Sequence, residues 1–299
     1  MYMKQIPEYQ LPKNDFVFKR IFGYEGNEDI TKDLVSSIIG EKISKIEFKN
    51  PFLLREISVD KEETLDIKAQ LDNNIICDIE IQVLSDKNII KRILDYWAKL
   101  YTQELHIGKK YKTLKRTILI LITNFYIKEL KEIEQYSTTW KILEENLKIQ
   151  LTDIFEIDII ELPKARKKIR KGIFERNSRN DWVKFIINPS NVEEDGMDDL
   201  KEEIKKAYEV WQRTNQNEEE REKAERRYMN LLSIEDNREY ERNLAIKQGR
   251  KQGRKQGEKI GIEKTAKKML ESGMEIEIIE KVTGLDRKKI EKLKADNIN

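Results

Sequence analysis

The chain has 299 residues, 38% of them charged, and its 58 basic and 56 acidic side chains nearly cancel to a formal charge of +2. That length allows one large domain with appendages or two domains, and the balance announces no partner by net charge. One cysteine, Cys77, and one histidine, His106, exclude a disulfide framework and cysteine-based zinc, nearly exclude histidine-ligated zinc, and leave a Ser-His-Asp triad a single base. Chemistry must then run on carboxylates, lysines and amides, a set that suits magnesium or manganese. No apolar run approaches ~18 residues and "MYMKQIPEYQLPKND" lacks an apolar signal core, so a soluble, cytoplasmic protein is expected.

In chain order, "NDFVFKRIFG" predicts a short helix with Asn14 as N-cap, Phe18, Ile21 and Phe22 on its apolar face, and Gly23 as its stop. "NEDITKDLVSSIIG" predicts a second helix ending at Gly40. "KISKIEF" alternates as a strand, and residues 64–83 read as a hairpin. "DKNIIKRILDYWAKLYTQELHIG" is a long amphipathic helix. Ile89, Ile93, Tyr96, Leu100 and Gln103 fall near one stripe and Gly108 ends it. "RTILILITNF" has the continuous apolar character of a strand buried on both faces, and "QLTDIFEIDIIEL" is a further strand. The order makes a mixed α/β domain over residues 1–162.

From Pro163 the character changes. "DWVKFIINP" is helical and partly buried, and residues 163–246 read as a charged helical cover or arm. Residues 247–261, "KQGRKQGRKQGEKIG", repeat glycine every four residues at Gly249, Gly253, Gly257 and Gly261. On a helix these would form one slowly drifting stripe, each glycine costing about 1 kcal/mol against alanine. A solvated basic linker, a helix pair brought close along the stripe, and a phosphate-contacting arm all fit this pattern. Residues 262–299 read as three short helices broken at Ser272-Gly273 and Thr283-Gly284. The last two resemble a helix-turn-helix, and fit a small cap or dimerisation element equally well.

The hairpin carries the chemistry. Strand one sets Leu65, Ile67, Ala69 and Leu71 against Thr64, Asp66, Lys68 and Gln70. Strand two sets Ile75, Cys77, Ile79, Ile81 and Val83 against Asp78, Glu80 and Gln82. A two-residue loop at Asn73-Asn74 would mix the faces. A three-residue loop, Asp72-Asn73-Asn74, pairs Leu71 with Ile75, Ala69 with Cys77, Ile67 with Ile79 and Leu65 with Ile81, with Asn74 in the left-handed conformation. It also sets Asp66 against Glu80, Lys68 against Asp78 and Thr64 against Gln82, about 5 Å apart at Cβ. Two carboxylates so placed need a shared proton or a cation between them. A divalent metal answers that need, and so does a solvated polar face screened by Lys68 and Arg92. Lys68 reads as the partner of Asp78, Cys77 as a buried structural thiol, and His106 as a helix-end histidine.

Together these segments resemble the PD-(D/E)XK nuclease family transposases, the Rpn recombination-promoting nucleases. "NDFVFKRIFG" is similar to the family's opening Asp-x-x-Phe-Lys-x-x-Phe-Gly segment, "LDIKAQ" to its metal-aspartate strand, and "IEIQV" to its Glu-x-Gln motif. "KRILDYWAKLYTQELHIGKKY" is similar to its Arg-x-x-x-Tyr helix, with Gly108 and Tyr111 in place. The glycine-spaced segment and helical tail also look familial. The resemblance implies a restriction-endonuclease-like mixed sheet flanked by helices, Mg²⁺-dependent (or Mn²⁺- or Ca²⁺-dependent) DNA cleavage, and a role in mobile-element recombination. It implies that Asp66 and Glu80 hold the metal and that Gln82 takes the position of the nuclease lysine. Asp15 would lie near the site, with Arg92 and Tyr96 facing it. Glutamine can position water but brings no charge, so Lys68, Arg92 or a second metal must supply it. DNA is the expected partner, with self-association a further role for the basic repeat and tail. A non-catalytic DNA-binding or assembly protein of the same fold is the alternative.

Overall fold

The computed structural model describes residues 6–49, 67–72, 74–103, 110–194 and 196–295. They form α1 (Asp15–Phe22), α2 (Glu28–Ile39), β1 (Ile46–Phe48), β2 (Ile67–Leu71), β3 (Ile75–Gln82), α3 (Ile89–Gln103), β4 (Arg116–Thr123), β5 (Ser137–Trp140) and β6 (Phe155–Glu161). Then follow α4 (Leu162–Arg170), α5 (Ser178–Ile187), α6 (Ser190–Glu194), α7 (Glu202–Gln216), α8 (Glu218–Glu271), α9 (Ile276–Thr283) and α10 (Arg287–Ala295). The chain divides into two compact units, residues 1–232 and 233–299.

In the first unit the described strands make one sheet in the order β1-β2-β3-β4-β6-β5. β3, β4 and β6 run parallel, and the remaining pairs are antiparallel. This is the mixed, helix-flanked sheet of a restriction-endonuclease-like fold. β4 lies at its centre and is apolar on both sides. Ile118, Ile120 and Ile122 enter one core with α1, α2, α5 and α7, while Leu119 and Leu121 enter a second with Ile89 and Ile93 of α3. The first core is the larger. Trp182, Phe16, Phe18, Phe22 and Phe185 are fully buried in it, and residues of α5 and α7 belong to it as much as those of α1.

The α1 start follows the expected capping. The Asn14 side chain accepts from the amides of Phe16 and Val17 at 3.1 and 3.3 Å. Gly23 ends the helix under a packing constraint, since a Cβ there would lie 3.0 Å from the Lys19 carbonyl and 3.1 Å from the Ile67 side chain. Gly40 closes α2 at φ +73°, the left-handed conformation that favours glycine.

The hairpin register follows the apolar match: Ile67 faces Ile79, Lys68 faces Asp78, Ala69 faces Cys77 and Leu71 faces Ile75. Asp66, Thr64 and Leu65 lie outside the described residues, as do His106 and Gly108. The turn differs from expectation at one position. Asp72, with φ +43°, takes the left-handed conformation expected of Asn74. Its carboxylate accepts from the Ser44 and Lys45 amides at 3.1 and 2.8 Å, bonds to another segment that offset the backbone strain.

β5 was not expected from the sequence. It is the last strand beyond β6, and the chain continues from it into a two-stranded ribbon, residues 141–154, with Leu143 bridged to Gln150. The second unit has a small core of Ala266, Ile279 and Ile290, flanked by Met269, Leu270, Ile276, Leu285 and Leu293. Residues 247–261 lie within α8, and nothing stands within 4 Å of where a Cβ would project from Gly249, Gly253, Gly257 or Gly261. Among the described residues no helix is long and apolar enough to cross a membrane.

Candidate active site

β3 alternates around the sheet plane. Cys77, Ile79 and Ile81 enter the larger core, so Asp78, Glu80 and Gln82 face the side covered by α3. Glu80 is completely buried there, in register with Leu121 of β4. A carboxylate removed from water needs compensation, and α3 supplies it. Arg92 Nη2 lies 3.2 Å from Glu80 Oε1, and the Gln82 side-chain amide donates to the same oxygen.

Arg92 is itself held. Its Nη1 lies 2.9 Å from Asp86 Oδ2, and its guanidinium stands over the Tyr96 ring, 5.7 Å from the centroid. Asp86 also shapes the start of α3, where its Oδ1 accepts from the Asn88 amide at 2.8 Å. One carboxylate thus organises the helix entry and orients the arginine. Arg92 Nε is buried without a hydrogen-bond partner among the described residues. Tyr96 follows Arg92 by one turn, which puts the two on the same face of the helix.

The structure therefore brings Glu80, Gln82, Arg92 and Tyr96 together. Asp15 is engaged elsewhere. Its carboxylate lies 3.0 Å from Arg227 Nε and accepts from the Phe16 amide at 2.8 Å, and α1 packs into the core on the opposite side of the sheet from Arg92. Burial raises the Asp15 pKa, and the Arg227 charge works against that rise. Lys68 stands opposite Asp78 in register. Cys77 is buried on the apolar face. Sequence reasoning missed Asp86 and Arg227. Asp86 could have been found as a carboxylate one turn before the arginine helix. Arg227 lies 212 residues from Asp15 and gave no local signal.

The donor chemistry suits a hard divalent cation, since Glu80 and Gln82 offer oxygen ligands. Among the described residues Arg92 touches two carboxylates, Glu80 and Asp86, and no group of three acidic, histidine or cysteine side chains is set to hold a metal. The second expected ligand, Asp66, lies outside the described residues, one position before the start of β2.

The comparisons match this architecture. The family model for PD-(D/E)XK nuclease family transposases matches residues 12–235, a span that includes the sheet, α3 and the Glu80 group. A second model, the C-terminal HTH domain of the Rpn/YhgA-like nuclease family, matches residues 263–295, the end of α8 with α9 and α10. No curated protein and no solved structure matched the chain. With three quarters of its length inside the first match, the chain belongs to the PD-(D/E)XK nuclease family transposases and ends in an Rpn-type helix-turn-helix domain.

Proposed function

We propose that the protein is a Mg²⁺-dependent endodeoxyribonuclease that hydrolyses phosphodiester bonds in cytoplasmic DNA during mobile-element recombination. The observation that carries this reading is the fully buried Glu80, compensated by Arg92 and touched by Gln82, inside the span that the nuclease-family model matches. Asp66 and Glu80 are the residues that would hold the ion. Between them a divalent ion would supply Lewis acidity for activating water and neutralising phosphate charge.

The rest falls to the chain's own side chains. Gln82 orients water through its amide. Arg92, preset by Asp86 and Tyr96, supplies the positive charge that glutamine lacks, at the place where the phosphate oxygens gain negative charge. Asp15 acts at one remove, by tying α1 to Arg227 behind the sheet. The helix-turn-helix domain and the basic stretch of α8 would hold DNA by backbone contacts, and binding should weaken steeply with salt.

The test is plasmid nicking by the full chain. Supercoiled plasmid should be nicked with Mg²⁺ and left intact with EDTA. The Asp66→Ala, Glu80→Ala double variant should lose at least ~100-fold in rate and still bind DNA. Undiminished cleavage by that folded variant would remove the site assignment. A folded wild-type chain that binds DNA but fails to cut it with any divalent ion would leave a non-catalytic DNA-binding protein.

A further inference from the structure

The three parallel strands end together. Gln82 closes β3, Thr123 closes β4 and Glu161 closes β6. Ligands of open α/β sheets gather outside such carboxyl ends. Here Asn124 joins the candidate site to a group of cations. Its amide donates to the Gln82 carbonyl at 2.9 Å, and its side-chain oxygen accepts from Arg166 Nη2 of α4 at 2.9 Å. Arg166 forms no ion pair among the described residues. Arg170 follows it by one turn and is exposed, so α4 sets two like charges on one face, an arrangement that weakens a helix.

Lys13 belongs to the same group and is only 5% exposed. Burial pushes its pKa down, the Glu8 carboxylate 2.6 Å away works against that fall, and the Arg166 charge adds to it. Among the described residues Glu8 is the carboxylate of this group, and it covers Lys13 with its own side chain 53% exposed. Asp15, two positions after Lys13, is taken by Arg227 at 3.0 Å. Between them Asn14 is 2% exposed. Its Oδ1 caps α1, while its Nδ2 is buried with no acceptor among the described residues. Concentrated positive charge beside an unanswered buried donor calls for an anion.

We propose that Lys13, Asn14 and Arg166 form a subsite for a backbone phosphate of the DNA strand, flanking the phosphate that meets Glu80 and Arg92. The choice of DNA rests on the nuclease reading, whereas the demand for an anion does not. Glu8 stands where the phosphate would come, as an internal carboxylate in its place, and turns out to water when the strand arrives. Arg166 then offers its planar fork, Lys13 a point charge and Asn14 a neutral donor. The contact reads no base, so it positions the strand without selecting sequence. Tyr126, 57% exposed and within electrostatic reach of Arg166, is available to a sugar or base of the same strand.

Fluorescence anisotropy of a short labelled duplex tests this on the full chain, in EDTA so that the readout is independent of cleavage. Arg166→Gln and Lys13→Gln should each weaken binding roughly tenfold at low salt and reduce the slope of log affinity on log salt by about 0.9. Glu8→Gln should strengthen binding, because Lys13 loses its competing partner. Circular dichroism accompanies each variant, and Arg166→Gln with Glu8→Gln carries the test if Lys13→Gln fails to fold. An unchanged slope in Arg166→Gln would overturn the proposal. Unchanged or weaker binding by Glu8→Gln, the mark of a purely structural ion pair, would overturn it as well. Inorganic phosphate replacing chloride at equal ionic strength identifies a free ion. A rise in thermal midpoint that Arg166→Gln abolishes, with DNA binding unaffected, would make that ion the ligand and overturn the DNA subsite. Variants that behave as expected in a chain that never cuts would uphold the subsite and remove the nuclease reading alone.

Discussion

Asp158 sits on β6 at 1% exposure, two residues after Glu156 and on the same side of the sheet. Glu156 is well served, with Arg116 Nη2 at 2.6 Å and Lys141 at 3.3 Å. Asp158 has Thr139 Oγ1 at 2.5 Å on one oxygen, and its other oxygen has no donor while both carboxylates are ionised. A proton on Asp158, directed at Glu156, answers that deficit. Burial first, and then the Glu156 charge, push the Asp158 pKa up to about 7, against the Thr139 hydrogen bond. The folded pKa lies above the unfolded value of 3.8, so the folded protein binds the extra proton between the two. The stabilisation is therefore complete below pH ~4 and is lost as pH rises through about 7. Asp158→Asn keeps the acceptor for Thr139 and puts a permanent donor beside Glu156. Urea unfolding at several pH values should show a flatter profile for the variant and a higher midpoint than wild type above pH ~7. Parallel profiles would assign the proton elsewhere.

At the scale of elements, α8 holds the clearest local conflict. Four glycines lie in its helical interior, each with open space where a Cβ would project. Alanine at Gly249, Gly253, Gly257 and Gly261 should stabilise the helix by about 1 kcal/mol per site. The 222 nm signal should rise and the thermal midpoint of the second unit with it, and a fall would mean that another backbone uses that stripe. The hairpin shows what a sequence can state about an element. Apolar matching alone selects the β2–β3 register, because a one-residue slip would turn Ile67, Ala69 and Leu71 into water. The capping of α1 at Asn14 and the central placement of β4 were legible for similar reasons of pattern. β5 was not. Ser137–Trp140 is short and polar, and an edge strand takes its identity from the neighbour it pairs with. Left-handed geometry at Asp72 was equally hidden, since it depends on the Ser44 and Lys45 amides supplied by another segment.

At the scale of the molecule, the candidate site was half legible. Glu80 and Gln82 follow from strand alternation, and Arg92 and Tyr96 from helical spacing; what Asp15 does depends on Arg227, which only the folded chain brings near. The two units differ in how they are held. The first buries an extensive aromatic and aliphatic core, and the second buries Ala266, Ile279 and Ile290. All four tryptophans, Trp97, Trp140, Trp182 and Trp211, belong to the first unit. Thermal unfolding followed at 222 nm should therefore begin before the tryptophan emission changes, as the smaller core melts first. Coincident curves would show one cooperative unit.

Cys77 gives the first unit a built-in clock. It is the chain's single thiol, it is fully buried on β3 at the middle of the sheet, and burial pushes its pKa well up. A thiol reagent added to the native protein can react only when the helices packed over this face of the sheet open, because the Cys77 side chain lies in the larger core. The labelling rate of the unmodified chain then reports how often the nuclease core opens, including the α5 and α7 residues that share that core with Cys77.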